Sequence, residues 1–460
     1  NVLTLNGVGT GGPIGLINHT VGFLTLNVDC YTPSGDNYRA IYLGSATNAN
    51  VININIVGII SSTNNYSDFL YAESSAQLNI GLMAVGLGAA TVTPSNALHI
   101  VRNSTGPVVG KINEIFISGS GSGLFLEGDG IFAGEIGYIQ YVDPSDTGIA
   151  IVMLDNSSIN INSGNISTYL GSIIRIKSAG SFNGNIKVLN STSSIDPAFN
   201  FESSGQIKIV STDINLSGNT LGFSVVSNTN FVLETAYINF TNNTLGLFSF
   251  VDSSTAYINY QLLNATTEID NAIVLNNGNV TINCQNTIIN MIGGAVPKYG
   301  IYVFKDSNLQ ITGYDFTVTG NDAYGIYVNN NANLFSRFNN FISTWTCLYI
   351  DGDSTGNITF LPVFGTLSLK KSSIVFVNST SAVPITVGGR LDAQGYKLTI
   401  EYSGSGSTNL RLFPSILLSD GISVGSSAAI NITSMGAVAQ FSTSGPNPVI
   451  GTFVVDPGAF

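Results

Sequence analysis

The chain has 460 residues, of which 44% are hydrophobic and only 9% charged, and its formal net charge is −12. Apolar content of this size builds a core and argues against disorder, while 15 basic residues without a Lys/Arg cluster argue against nucleic acid as a partner. No apolar run reaches the roughly 18 residues that a membrane-crossing helix needs.

Taken in chain order, residues 1–14 ("NVLTLNGVGTGGPI") contain one strand-like apolar piece and are expected to form an N-terminal strand or cap. The chain begins at Asn1 with neither a Met nor a basic and apolar leader, which implies a cleaved leader or an excised portion. From Gly15 onward a short phrase recurs: a small or variable anchor, an apolar residue, any residue, an apolar residue. It is plainest in "YGIYVFKDSNLQITG" from Tyr299 and "YGIYVNNNANLFSRF" from Tyr324. Seventeen copies begin at Gly15, Ala40, Phe69, Ala97, Gly123, Gly148, Ile173, Ala198, Gly222, Leu247, Ala272, Gly300, Gly325, Cys347, Ser373, Lys397 and Gly421. Their mean step is about 25 residues.

The residue after each anchor is apolar throughout, for example Leu16, Ile41, Leu98, Ile149 and Ile326. Two places later comes a second apolar column, for example Leu43, Ile100, Ile151 and Val328, with Asn18 its one polar member. Side chains alternate along a strand, so these columns face inward and the residue between them faces out. Asn, Asp, Ser and Gly follow, as in "NNNAN" from Asn329 and "DGDSTG" from Asp351, and mark turns. A second strand of less regular register follows in many copies, as in "VININI" from Val51 and "AYINY" from Ala256.

A step of this length without helix signals predicts an all-β fold: a parallel β-helix, or β-solenoid, of about 17 coils of about 25 residues. The periodicity resembles the right-handed parallel β-helix of the pectin-lyase-like superfamily, from Gly15 to about Val424. Residues 15–425 are assigned to the solenoid and residues 426–460, which contain "GTFVVD", to a C-terminal cap or assembly segment.

The outward middle column reads Tyr42, Tyr71, His99 and Phe125 on successive copies, and later Tyr302, Tyr327 and Tyr349. Stacked coils place these rings in ladders about 5 Å apart per coil, flat and partly exposed. Such ladders bind sugar rings, cover another subunit, or stack within the sheet that carries them.

Candidate chemistry is sparse. The polygalacturonase branch of the superfamily carries Asn-Thr-Asp, an Asp-Asp pair, Gly-His-Gly and Arg-Ile-Lys. Only the last occurs here, at Arg175, Ile176 and Lys177, where strand alternation already explains it. Glu127 with Asp129, Glu73 with His99, and Asp351 with Asp353 are carboxylate or histidine neighbours that make no well-defined pair for glycoside cleavage. "DGDSTG" opens like a calcium loop, but its twelfth position is Pro362 in place of a bidentate Glu, which leaves Asp351 and Asp353 a weak metal candidate. Cys30, Cys284 and Cys347 lack CxxC spacing and read as small buried hydrophobes. No cofactor is expected.

Asn-x-Ser/Thr sequons, candidate glycosylation sites of a secreted chain, lie at Asn18, Asn65, Asn103, Asn156, Asn165, Asn190, Asn215, Asn239, Asn242, Asn264, Asn279, Asn357, Asn378 and Asn431. Few ionisable groups, a polar uncharged coat and an almost unbroken repeat point to a self-assembling structural protein, a subunit of an extracellular, cell-surface or virion fibre. The alternative is a polysaccharide-binding or polysaccharide-degrading β-helix. The longest steps between copies, 29 residues from Ala40 to Phe69 and 28 from Phe69 to Ala97 and from Ala272 to Gly300, leave little chain for the walls of an enzyme cleft.

Overall fold

The computed structural model describes side chains at 41–43, 54, 68–73, 75–85, 96–101, 106–192, 194–268, 271–292, 298–320 and 323–336, and describes the remaining strands by their backbone alone. The chain divides into two compact units, Asn1–Thr235 and Ala236–Phe460. Both are parallel β-solenoids built from coils of one short and one long strand, the long strand being split into Thr355–Phe360 and Thr366–Leu369 in one coil of the second unit and into Ile430–Ser434 and Val438–Phe441 in another. No helix occurs among the described residues.

In the first unit the short strands Asn96–Ile100, Leu124–Leu126, Ile151–Met153, Ile174–Ser178 and Phe199–Ser203 stack in parallel, pairing Leu98 with Leu124, Ile151, Ile174 and Phe199 in turn. The long strands Val108–Ile117, Ile131–Tyr141, Ser158–Thr168 and Ser181–Thr192 form a second parallel stack. In the second unit Asn271–Asn276, Lys298–Phe304, Ala323–Asn329 and Leu348–Asp351 pair Ile273 with Ile301, Ile326 and Leu348.

These segments are strands because apolar and polar residues alternate with period 2 and the apolar set has one interior to fill. Ile41, Leu98, Leu124, Ile174, Phe199, Ile301 and Ile326 are fully buried. Inside the first unit Phe199 lies flat on Phe223, ring centroids 4.2 Å apart, so the inward columns are themselves ladders. Beyond the short strands the chain turns through left-handed backbone at Asp155, Asn228, Asn277, Asp306 and Asn330, with φ of 57°, 61°, 57°, 58° and 52°. Short polar side chains tolerate that region best.

The long strands change phase midway. In each, two successive residues face outward: Asn113 and Glu114, Gly137 and Tyr138, Gly164 and Asn165, Lys187 and Val188. A strand that must wrap a core bends there, and each half then alternates about the same interior.

Register differs from the sequence reading in two copies. "GIAIVM" contains two overlapping versions of the phrase, and pairing selects the second: Ile151 lies opposite Leu124 and Met153 opposite Leu126, while Ile149 is half-buried outside the columns. In "GLINH" two adjacent apolar residues allow a one-residue slip, and Ile17 pairs with Ile41 while Asn18 pairs with Tyr42. The terminal apolar pieces are strands of the sheet, Val2–Asn6 pairing with Leu24–Ser34 and Thr452–Val455 with Ile430–Ser434.

Candidate functional site

The outward face of the short-strand sheet carries two dissimilar clusters. In the first unit, three consecutive coils deliver Asp68, His99 and Glu127. Asp68 and Asn96 open neighbouring strands in register, and the Asn96 amide donates to Asp68 Oδ1 at 2.9 Å while its own oxygen accepts from the Ser122 N–H at 3.1 Å. His99 Nδ1 lies 2.9 Å from Asp68 Oδ1, and its Nε2 lies 3.2 Å from Glu127 Oε1. Edge-on contacts to Tyr71 and Phe125, both at 4.7 Å, hold the ring in place. Alongside, Tyr42 stacks on Tyr71 at 5.6 Å and donates its hydroxyl to Glu73 at 3.1 Å.

Both histidine contacts are N–H···O bonds at once only when the ring carries two N–H groups, the imidazolium. The imidazole thus bridges a buried carboxylate and a half-exposed one across three consecutive coils. The carboxylates meet opposite sides of the ring and do not converge on one point. Accordingly, no group of three or more His, Cys, Asp or Glu is placed to hold a metal ion among the described residues.

The expected flat, partly exposed ladder is corrected here at Tyr71 and His99, while Tyr42 and Phe125 are half-buried. Tyr71 and His99 are buried, at 7% and 8% exposure, and only the Tyr42–Tyr71 pair is stacked. Asp68 escaped the sequence reading because it precedes the phrase. Its signal is positional, since Asp68 and Asn96 both stand two residues before the first inward leucine.

In the second unit the cluster is aromatic alone. Tyr302 meets Tyr327 edge-on at 5.1 Å and stacks on Phe304 at 4.6 Å, while Tyr299 lies 5.2 Å from Tyr302, 5.3 Å from Tyr324 and 4.7 Å from Tyr327. All are half-exposed. Burial, then the neighbouring Tyr324 and Tyr302, push the Tyr299 phenol up to about 12. Tyr299 and Tyr324 were not anticipated, although the doubled "YGIY" announces them. Tyr349 pairs with Tyr327 in register, but its side chain and those of Asp351 and Asp353 lie outside the described residues.

Other candidates resolve into structure. Ile176 is fully buried, and Arg175 Nη2 bonds Asp196 Oδ2 at 2.9 Å. Cys284 is a free, half-buried thiol raised by burial. Several sequons recur because the solenoid repeats. Asn215 donates to Asn190 at 3.0 Å, and Asn190 donates to Asn165 at 3.2 Å and to Ser167 at 3.3 Å. An N-linked sugar would take the amide nitrogen that makes each of these bonds. Asn239 is half-buried, while Asn156, Asn242, Asn264 and Asn279 are exposed. The side chains of Asn18, Asn65, Asn103, Asn357, Asn378 and Asn431 lie outside the described residues. Among the described residues no helix is long and apolar enough to cross a membrane. The chain matches no family model, no curated protein sequence and no solved structure.

Proposed function

We propose that the chain is a self-assembling structural subunit of an extracellular, cell-surface or virion fibre. The observation that supports this reading is how the outward polar groups are spent. Asn183 bonds Asn160 at 3.2 Å, Asn215 bonds Asn190, and Asn333 bonds Asn308 at 2.9 Å. Lys208 pairs with Glu234 at 3.0 Å and Lys111 with Glu135 at 3.6 Å. Each joins one coil to the next. Groups that in an enzyme converge on a substrate here brace one coil against the next.

Assembly then needs a contact surface, and the half-exposed tyrosines around Tyr302 and Tyr327 supply one for side-by-side association. The terminal strands Val2–Asn6 and Thr452–Val455 supply the elements for end-to-end strand addition. Electron microscopy of the purified chain tests the reading: filaments or bundles are expected, lost in a Tyr302→Ser, Tyr327→Ser variant that still folds. A chain that stays monomeric at high concentration refutes it.

A second reading, a polysaccharide-degrading enzyme, is favoured by one feature, the acid Glu127 with 38% of its side chain exposed beside His99. Release of new reducing ends from a polysaccharide, abolished by Glu127→Gln, would favour it over the fibre.

A further inference from the structure

A groove of about 620 Å³ runs across the bend of the long-strand sheet in the first unit. The register places Asn113, Gly137, Gly164 and Lys187 in one column at that bend, between the paired residues on either side. The two glycines form the floor. A Cβ at Gly137 would lie 2.2 Å from the Asn113 carbonyl oxygen and one at Gly164 would lie 2.7 Å from that of Gly137, so the coils approach too closely for any side chain. Asn113 and Lys187, which do carry side chains, close the two ends. One wall is the exposed column Lys111, Glu135, Asn162 and Asn185; the other holds Glu114 and Tyr138, whose side chain is among the most exposed aromatics at 50%.

We propose that this groove binds an extended, uncharged polysaccharide lying across the coils. Polar side chains stand along both walls, which suits a ligand that carries hydrogen-bonding groups. The charges cancel, Lys111 and Lys187 against Glu114 and Glu135, and Lys111 is already tied to Glu135, so a polyanion finds no excess of cations. A peptide strand finds no edge, because Ile131–Tyr141 is paired on both sides. Sugar hydroxyls are at once donors and acceptors, as are the Asn162 and Asn185 amides, and the exposed face of Tyr138 offers a flat apolar platform for the C–H face of a ring. Coils advance by about 4.8 Å, close to the advance per ring of an extended sugar chain. Successive rings therefore meet equivalent positions on successive coils.

The groove and the tyrosine cluster share no residue, so the inference does not depend on the assembly reading. The test is retention of the full chain on insoluble cellulose, chitin and β-1,3-glucan, followed by calorimetry with tetrasaccharides of the retained linkage and with polygalacturonate as charged comparator. At least one neutral polymer should retain the chain. Tyr138→Ala should weaken binding about tenfold and Asn162→Ala by a smaller factor, whereas Tyr314→Ala, at the corresponding bend of the second unit, should change nothing. Both groove positions are on the surface, and an unchanged melting temperature confirms that the variants fold. Absence of retention on all three polymers, binding unaltered in the Tyr138→Ala, Asn162→Ala double variant, or preference for polygalacturonate would each overturn the proposal. Sedimentation of the same variants reports assembly separately.

Discussion

The outward column of the short strands in the first unit contrasts with the same column in the second. Around His99 the column is buried and polar, with a carboxylate on each ring nitrogen and aromatic edges above and below. Around Tyr302 it is half-exposed and aromatic. The inward neighbours are alike, Leu98 beneath one and Ile326 beneath the other, both fully buried. The difference teaches that the inward columns carry the fold, whereas the outward column is free to hold whatever its local partners can satisfy.

If the inward columns are equivalent, Leu98→Asp and Ile326→Asp should be equally severe. Each buries an unpaired charge and should cost about 4 kcal/mol or more in chemical unfolding. A mild effect at either position would break the comparison at its base.

The outward columns should differ next. His99→Ala removes both bonds, one of them to the buried Asp68, a loss of about 3 kcal/mol. Tyr302→Ala gives up edge and stacking contacts at a half-exposed site, about 1 kcal/mol. Equal losses in denaturant titration would erase the distinction between a buried network and a surface cluster.

The smallest effect is a titration. The Tyr299 phenol, normally near 10.0, is raised to about 12, chiefly by burial. A raised folded-state value means that the neutral form is favoured by folding. This contribution is complete below pH 10, where both states are protonated, and is lost as pH rises from about 10 through about 12. Phenolate absorbance should show Tyr299 ionising late, ahead of Tyr141 and Tyr260, which full burial raises further, and Tyr324→Phe should move Tyr299 only part of the way back, because burial, the larger cause, remains.

Much of this was legible in the chain. The 25-residue interval and the two inward columns follow from period-2 alternation repeated in sequence, which needs no knowledge of neighbours. Legibility failed where composition allowed two answers. "GIAIVM" satisfies the phrase at Gly148 and at Ala150, and only pairing with Leu124 and Leu126 chooses between them. It failed also in the long strands, whose midpoint change of phase hid the groove: Gly137 and Gly164 have no shared motif, only a shared column, and Tyr138 stands in the column beside it.

By itself the sequence determined the interior, because burying an apolar residue in every coil is a local requirement that each repeat meets alone. The tertiary structure decided what the outside means. Asp68, His99 and Glu127 are separated by 31 and 28 residues, and Asn165, Asn190 and Asn215 by 25 and 25. Whether such residues are isolated side chains, sequons, a buried polar network or a brace depends on the parallel register that brings coils within about 4.8 Å of one another. That register is set by backbone hydrogen bonds and inward packing, so the outward groups meet as a consequence of forces in which they take little part.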